Sequence, residues 1–179
     1  CSSDLTTYSF TGGEKYTLTA IIQQVADYGA KYVCVTGGEP LAQPNCLPLL
    51  TALCDAGYHV SLETSGALDV SQVDRRVSKV VDLKTPDSGE AHRNLYENMQ
   101  HLTANDQIKF VICSRQDYQW AKFKMDEYQL SQRVSDVLLS PSHQQQDPRE
   151  LAEWILADKL AVRLQVQLHK YLWNNEAGH

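Results

Sequence analysis

The chain has 179 residues, with 16 Lys and Arg against 22 Asp and Glu and a formal charge of -6. That length suits one domain with a core and is short for two, and the mixed, mildly acidic charge argues against nucleic acid as the main partner while leaving room for a small anion in a local pocket. No apolar run reaches the roughly 18 residues of a membrane span, and no basic leader with an apolar segment precedes the fold, so the reading is a cytoplasmic protein with no membrane partner. The cysteines, Cys1, Cys34, Cys46, Cys54 and Cys113, are odd in number and widely spaced, which argues against a disulfide framework. Cys34, Cys46, Cys54 and Cys113 lie in strand-like or helical runs and read as buried thiols. Cys1 stands apart.

The first ten residues read as loop and TGGEK at 11–15 as a turn. From Thr17, the stripe of Ile21, Ile22, Val25 and Ala26 with Gly29 as a stop predicts a helix. A strand at 31–35 ends abruptly in Thr36-Gly37-Gly38-Glu39-Pro40. A helix follows at about 43–56, then a strand at 58–63 ending in Glu63-Thr64-Ser65-Gly66. A strand at 79–84 ends in Lys84-Thr85-Pro86-Asp87-Ser88-Gly89, and a helix is expected over 91–100. A strand at 107–113 precedes a helix beginning at Asp117. A strand at 136–139 ends at Ser140-Pro141. Pro148 opens a helix through about 158, as proline in a first turn does. The last strand, 162–167, leads into Leu168-His169-Lys170. Short, largely apolar strands alternating with helices predict a single α/β domain whose parallel sheet is covered by helices. Rhythm alone leaves both a doubly wound sheet and an open barrel. Both collect ligands at the carboxyl ends of the strands.

Those ends carry the polar residues. The glycines of TGGEP permit unusual backbone angles and close approach of a ligand, and Glu39 suits an ammonium or hydroxyl-bearing group. The carboxylate, and the lack of a phosphate-loop pattern, argue against phosphate. Glu63 and Ser65 suit vicinal ribose hydroxyls. Lys84 either faces the ligand rim or extends to solvent, and Asp82, two residues before it, is expected to have a partner of its own. His169 can bond a polar heterocycle and Lys170 can meet a carboxylate. On pattern alone, a tight turn with a solvated Glu, a helix-capping Ser and a solvated terminal Lys explain the same residues equally well. No His and Cys spacing makes a zinc site, Trp120 and Trp154 read as core packing, and His143 as an exposed loop residue.

Together these motifs resemble the 7-carboxy-7-deazaguanine synthase family of the radical S-adenosylmethionine superfamily. TGGEP is similar to the superfamily segment around the methionyl amine of the cofactor, and ETSG to the segment at its ribose. DLKTPDSGE, QIKFVI with DYQWA, LLSPS and VRLQVQLHKYLW match later landmarks of the synthase in order, across nearly the whole chain. The resemblance implies an open or partial (βα)6 barrel of the radical S-adenosylmethionine type, lacking its first strand and most of its cluster loop. It implies a lyase that converts 6-carboxy-5,6,7,8-tetrahydropterin to 7-carboxy-7-deazaguanine with release of ammonia. Its cofactors would be a 4Fe-4S cluster, S-adenosylmethionine and Mg2+. The partners implied are the pterin substrate and a reductant such as flavodoxin or ferredoxin, and a homodimer stays open.

Carried over residue by residue, the cofactor set is Thr36, Gly37, Gly38, Glu39, Glu63, Ser65, Lys84 and Ser140. Gly38, His169 and Lys170 face the substrate. Cys1 is a cluster ligand, and Thr6 lies near Mg2+. The family's cluster loop holds three cysteines. Here Asp4 stands where the last is expected, Leu5 replaces an Asp, and only Cys1 is present, so the chain as given is expected not to turn over. A glycyl radical enzyme activase, or a binding domain that has lost its cluster, are the alternatives.

Overall fold

The computed structural model describes residues 14–168 and Leu172, so Cys1, Thr6, His169 and Lys170 lie outside the described residues. Helix α1, Leu18–Asp27, is capped by the Thr17 hydroxyl, which accepts from the N–H of Ala20. Strand β1, Tyr32–Val35, is followed by a 3-10 turn at Pro40–Ala42 and helix α2, Cys46–Asp55. Strands β2, His59–Thr64, β3, Ser78–Asp82, and β4, Gln107–Ile112, follow. Helix α3, Arg115–Glu127, a short α4, Leu130–Arg133, strand β5, Asp136–Pro141, helix α5, Pro148–Ala157, and strand β6, Arg163–Leu164, complete the order.

The six strands pair in chain order and every pair is parallel. Right-handed crossovers between strands in sequential order put every connection on one side of the sheet. The fold is thus an open, partial (βα)6 barrel with its helices on the outer face.

Burial follows from this arrangement. Strand β2 alternates between buried and accessible residues along its length, as do β3 and β4. Val60, Leu62, Val81, Ile108, Phe110, Ile112, Val137 and Leu139 lie on the outer face, within two apolar clusters that also take in Leu50 and Leu53 of α2, Tyr118 and Ala121 of α3, and Leu151 and Ile155 of α5. Burying each large apolar side chain contributes about 1.5–3 kcal/mol. Trp120 and Trp154 pack on the larger cluster as expected. Register places Cys34, Ser61, Glu63, Val80, Asp82, Gln107, Lys109, Val111, Asp136 and Ser140 on the inner face. The helices cover the outer face as expected, and the inner face is largely polar.

Three elements differ from expectation. The helix expected over 91–100 is two 3-10 segments, Ala91–Arg93 and Tyr96–His101. An α-helix there would need its own N–H groups, but Leu95 N donates to Gly66 O, outside the segment. Helix α3 begins at Arg115, not Asp117, because Ser114 caps it by accepting from Asp117 N. Strand β6 has two residues where six were expected, on the sheet's edge, although Gln165 N still reaches Leu139 O. Of the four thiols read as buried, only Cys46 is. Cys34 is exposed because it points inward from β1, and Cys54 and Cys113 are half-buried.

Candidate functional site at the carboxyl ends of the strands

The β1 and β2 strand ends meet through Glu39. Its carboxylate accepts from Leu41 N at 3.1 Å, from the Thr64 hydroxyl at 2.9 Å and from Ser65 N at 2.8 Å, and also from the Ser65 hydroxyl. A carboxylate offers about four acceptor positions, so these donors saturate it. Glu39 thus joins the TGGEP and ETSG turns, and Thr64, which the sequence reading passed over, is part of the junction. Gly37 and Gly38 carry φ of 101° and 58°. Nothing lies within 4 Å of a Cβ built on Gly37, so conformation and not crowding calls for glycine there. Gly66 has both reasons: its φ is 74°, and a Cβ would sit 2.8 Å from Val81 Cγ1. Thr36 and Glu63 are exposed beside this junction.

Lys84 lies beyond β3, one residue past the last ladder bond from Leu83 N to Lys109 O. Its Nζ pairs with Asp82 Oδ2 at 2.8 Å, which corrects the expectation of separate partners: alternation puts both side chains on the inner face, and the Lys stem is long enough to turn back. Asn94 grips the Lys84 backbone on both sides, accepting from its N–H at 2.9 Å and donating to its carbonyl at 2.8 Å. Asn98 does the same for the ETSG turn, donating to Gly66 O and Leu68 O and accepting from Val70 N. Neither asparagine was singled out from the sequence. The run of Asn94 and Asn98 at four-residue spacing beside a strand-end loop was the available signal, and it was read as helix.

Ser140 is 1% exposed at the end of β5, and its hydroxyl has no hydrogen-bond partner among the described residues. Asp82 Oδ1 and Gln167 Oε1 share this state. Native proteins seldom bury polar atoms unpaired, so such atoms at a strand-end rim fit a polar ligand. Lys109, half-buried, is the register partner of Asp82 on the inner face and was likewise missed; in QIKFVI it reads as one polar residue in an apolar strand. Desolvation by the barrel wall raises the Cys34 thiol above its usual range, a contact with Ser61 pulls it back, and Glu63 raises it further.

The structure thus brings Thr36, Gly37, Gly38, Glu39, Glu63 and Ser65 together across β1 and β2, and carries Lys84 and Ser140 on the same sheet's rim. A cleft lined by Val134, Asp136, Val162 and Arg163 opens at the opposite, amino end of β5 and β6. Its charges are already paired, Arg163 Nη1 to Asp136 Oδ2 at 3.3 Å, so the chemistry lies at the carboxyl rim. Among the described residues no three His, Cys, Asp or Glu converge as metal ligands.

No protein-family model matches the chain. Among curated proteins it is similar to the 7-carboxy-7-deazaguanine synthase of Chlorobaculum tepidum, 42% identical over 176 residues, covering 96% of this chain and 79% of that protein. It is 40% identical over 192 residues to the synthase of Koribacter versatilis, covering 98% and 83%. Among solved structures it resembles Streptococcus suis SuiB bound to precursor peptide SuiA, with a TM-score of 0.62 at 13% identity, covering 88% of this chain and 43% of that one. SuiB bound to S-adenosylmethionine gives 0.57 at 14%, with the same coverage. The SuiB likeness is one of fold, and this chain spans under half of that chain's length. With identity of this order over most of both sequences, on a radical S-adenosylmethionine barrel, the chain belongs to the 7-carboxy-7-deazaguanine synthase family.

Proposed function

We propose that the chain forms the barrel of a synthase that contracts 6-carboxy-5,6,7,8-tetrahydropterin to 7-carboxy-7-deazaguanine with release of ammonia, in the cytoplasm. The observation that supports this most is the joined rim, where Glu39 locks TGGEP to ETSG and leaves Glu63, Lys84 and Ser140 around a polar inner face. The fit to S-adenosylmethionine is good in kind. Glu63 and Ser65 suit ribose hydroxyls, the Ser140 hydroxyl is buried without a partner among the described residues, and the positive-φ Gly37-Gly38 turn leaves room for a ligand to approach the backbone. Glu39 acts by shaping that turn, since its oxygens are filled, and leaves the methionyl amine to the surrounding backbone. Gly38, His169 and Lys170 would face the pterin, whose carboxylate a lysine can meet.

At one position of the cluster loop the residues do not fit a 4Fe-4S cluster: Asp4 stands where the resemblance expects a thiolate, three residues after Cys1. Hydrogen abstraction by the cofactor's adenosyl fragment would require a complete cluster, which supplies the electron. On its own, the 179-residue chain would bind the cofactor without turning over, with flavodoxin or ferredoxin as reductant only for a complete cluster site.

The test is calorimetric titration of the chain with S-adenosylmethionine. In parallel the chain is reconstituted anaerobically with iron and sulfide and given dithionite, cofactor and 6-carboxytetrahydropterin, with products read by mass spectrometry. Binding without product is expected. 7-Carboxy-7-deazaguanine together with 5′-deoxyadenosine would establish the synthase and overturn the expected inactivity. Neither binding nor product would overturn the cofactor reading.

A further inference from the structure

Asp117 is 0% exposed, and no Lys or Arg pairs with it among the described residues. It occupies the first turn of α3, where free N–H groups and the positive end of the helix dipole favour a carboxylate. An ordinary capping role would have it accept from its own helix. Three donors to it lie elsewhere among the described residues, besides a contact with the Cys113 thiol: the Thr85 hydroxyl at 3.0 Å and Cys113 N at 3.1 Å on Oδ2, and Asp87 N at 3.0 Å on Oδ1. Two of the three come from the loop after β3. Ser114, the residue that caps α3, also donates to the Asp87 carboxylate. The start of α3 therefore holds the 85–87 loop, while Asn94 holds Lys84 from the other side.

We propose that Asp117 is a positioning residue for the ligand rim: it sets the pose of the Lys84–Asp87 loop and, through it, the affinity for the nucleoside ligand. The second half rests on the cofactor reading given under Proposed function. The geometry explains why a carboxyl group, and not an amide, occupies this buried position. A carboxylate meets two backbone N–H groups and a hydroxyl at once, whereas an amide would turn its NH2 toward one of those donors.

The experiment compares the wild-type chain with Asp117→Asn, Thr85→Val and Thr85→Ser. It reads thermal stability, hydrogen exchange of the 84–89 and 59–64 segments, and S-adenosylmethionine affinity by calorimetry. Asp117→Asn is expected to speed exchange in 84–89 while leaving 59–64 protected, and to weaken binding by about tenfold. Thr85→Val should give a smaller change in the same direction, and Thr85→Ser, which keeps the hydroxyl, should match wild type. If Asp117→Asn fails to fold, the contrast between Val and Ser at position 85 decides. Unchanged exchange in 84–89 overturns the proposal, as does a rise spread evenly over both segments. Local loosening with unchanged affinity overturns the link to the ligand. If wild type itself does not bind the cofactor, the cofactor reading falls, while local exchange still decides whether Asp117 holds the loop.

Discussion

Ser65 N donates to Glu39 Oε2 at 2.8 Å, joining residues 26 positions apart at the ends of neighbouring strands. Glu39→Gln keeps the shape but faces an NH2 toward donors that now need an acceptor. It should destabilise the fold by about 1–3 kcal/mol, the range for hydrogen bonds to a charged group and for a donor left unpaired. Urea denaturation with an unchanged slope would confirm it. A midpoint equal to wild type would show that the two turns hold together without Glu39.

At the other end of the sheet, Lys79 Nζ meets Asp106 Oδ2 at 3.0 Å with both side chains almost fully buried. Asp106 also accepts from Lys79 N, Thr103 N and the Thr103 hydroxyl, fastening the loop before β4 to the start of β3. Removing the cation alone strands a buried charge, so Lys79→Met should cost about 3–5 kcal/mol. Adding Asp106→Asn should restore part of that loss. The coupling in a double-variant cycle, read by denaturant melts, checks this.

Among the described cysteines, Cys34 is the exposed one and lies on the inner face. It should be alkylated by iodoacetamide before Cys54 and Cys113, with Cys46 last. Its raised thiol pKa should make the reaction slow at neutral pH and faster in alkali. Bound S-adenosylmethionine should slow labelling at Cys34 and leave Cys46, Cys54 and Cys113 unchanged, as peptide mass spectrometry would show.

The Asp158 carboxylate accepts from Lys122 Nζ and from the Tyr118 hydroxyl, each at 2.8 Å. The Lys122 contact, then that of Tyr118, holds its pKa below the usual carboxylate value. The folded pKa lies below the unfolded one, so this contribution is present above about pH 4 and fades as pH falls through the folded value. Burial, then the bond to Asp158, raises the Tyr118 pKa. That contribution is full below about pH 10, the unfolded tyrosine value, and is lost as pH rises toward the folded one. Thermal melts against pH should therefore show a shallower acid limb for Asp158→Asn and a shallower alkaline limb for Tyr118→Phe.

The order of strands and helices and the crowding of polar motifs at strand ends were legible in the sequence, because they depend on local periodicity and on turn residues. TGGEP, ETSG and LKTPDSGE, together with the later motifs, carried the family. Tertiary structure alone decided what each of these groups does. Glu39 has its oxygens filled by residues of the next strand's turn, Lys84 turns back onto Asp82, and Asn94 and Asn98 give up a helix to brace two other loops. Asp117, which as a sequence letter marks a helix start, spends its carboxylate on a loop some thirty residues earlier. The polarity of the inner face was written in the alternation of HVSLET and QIKFVI. Whether that face opens to a ligand or to a second layer of helices depends on the strand order, since sequential right-handed crossovers place every helix on the other side.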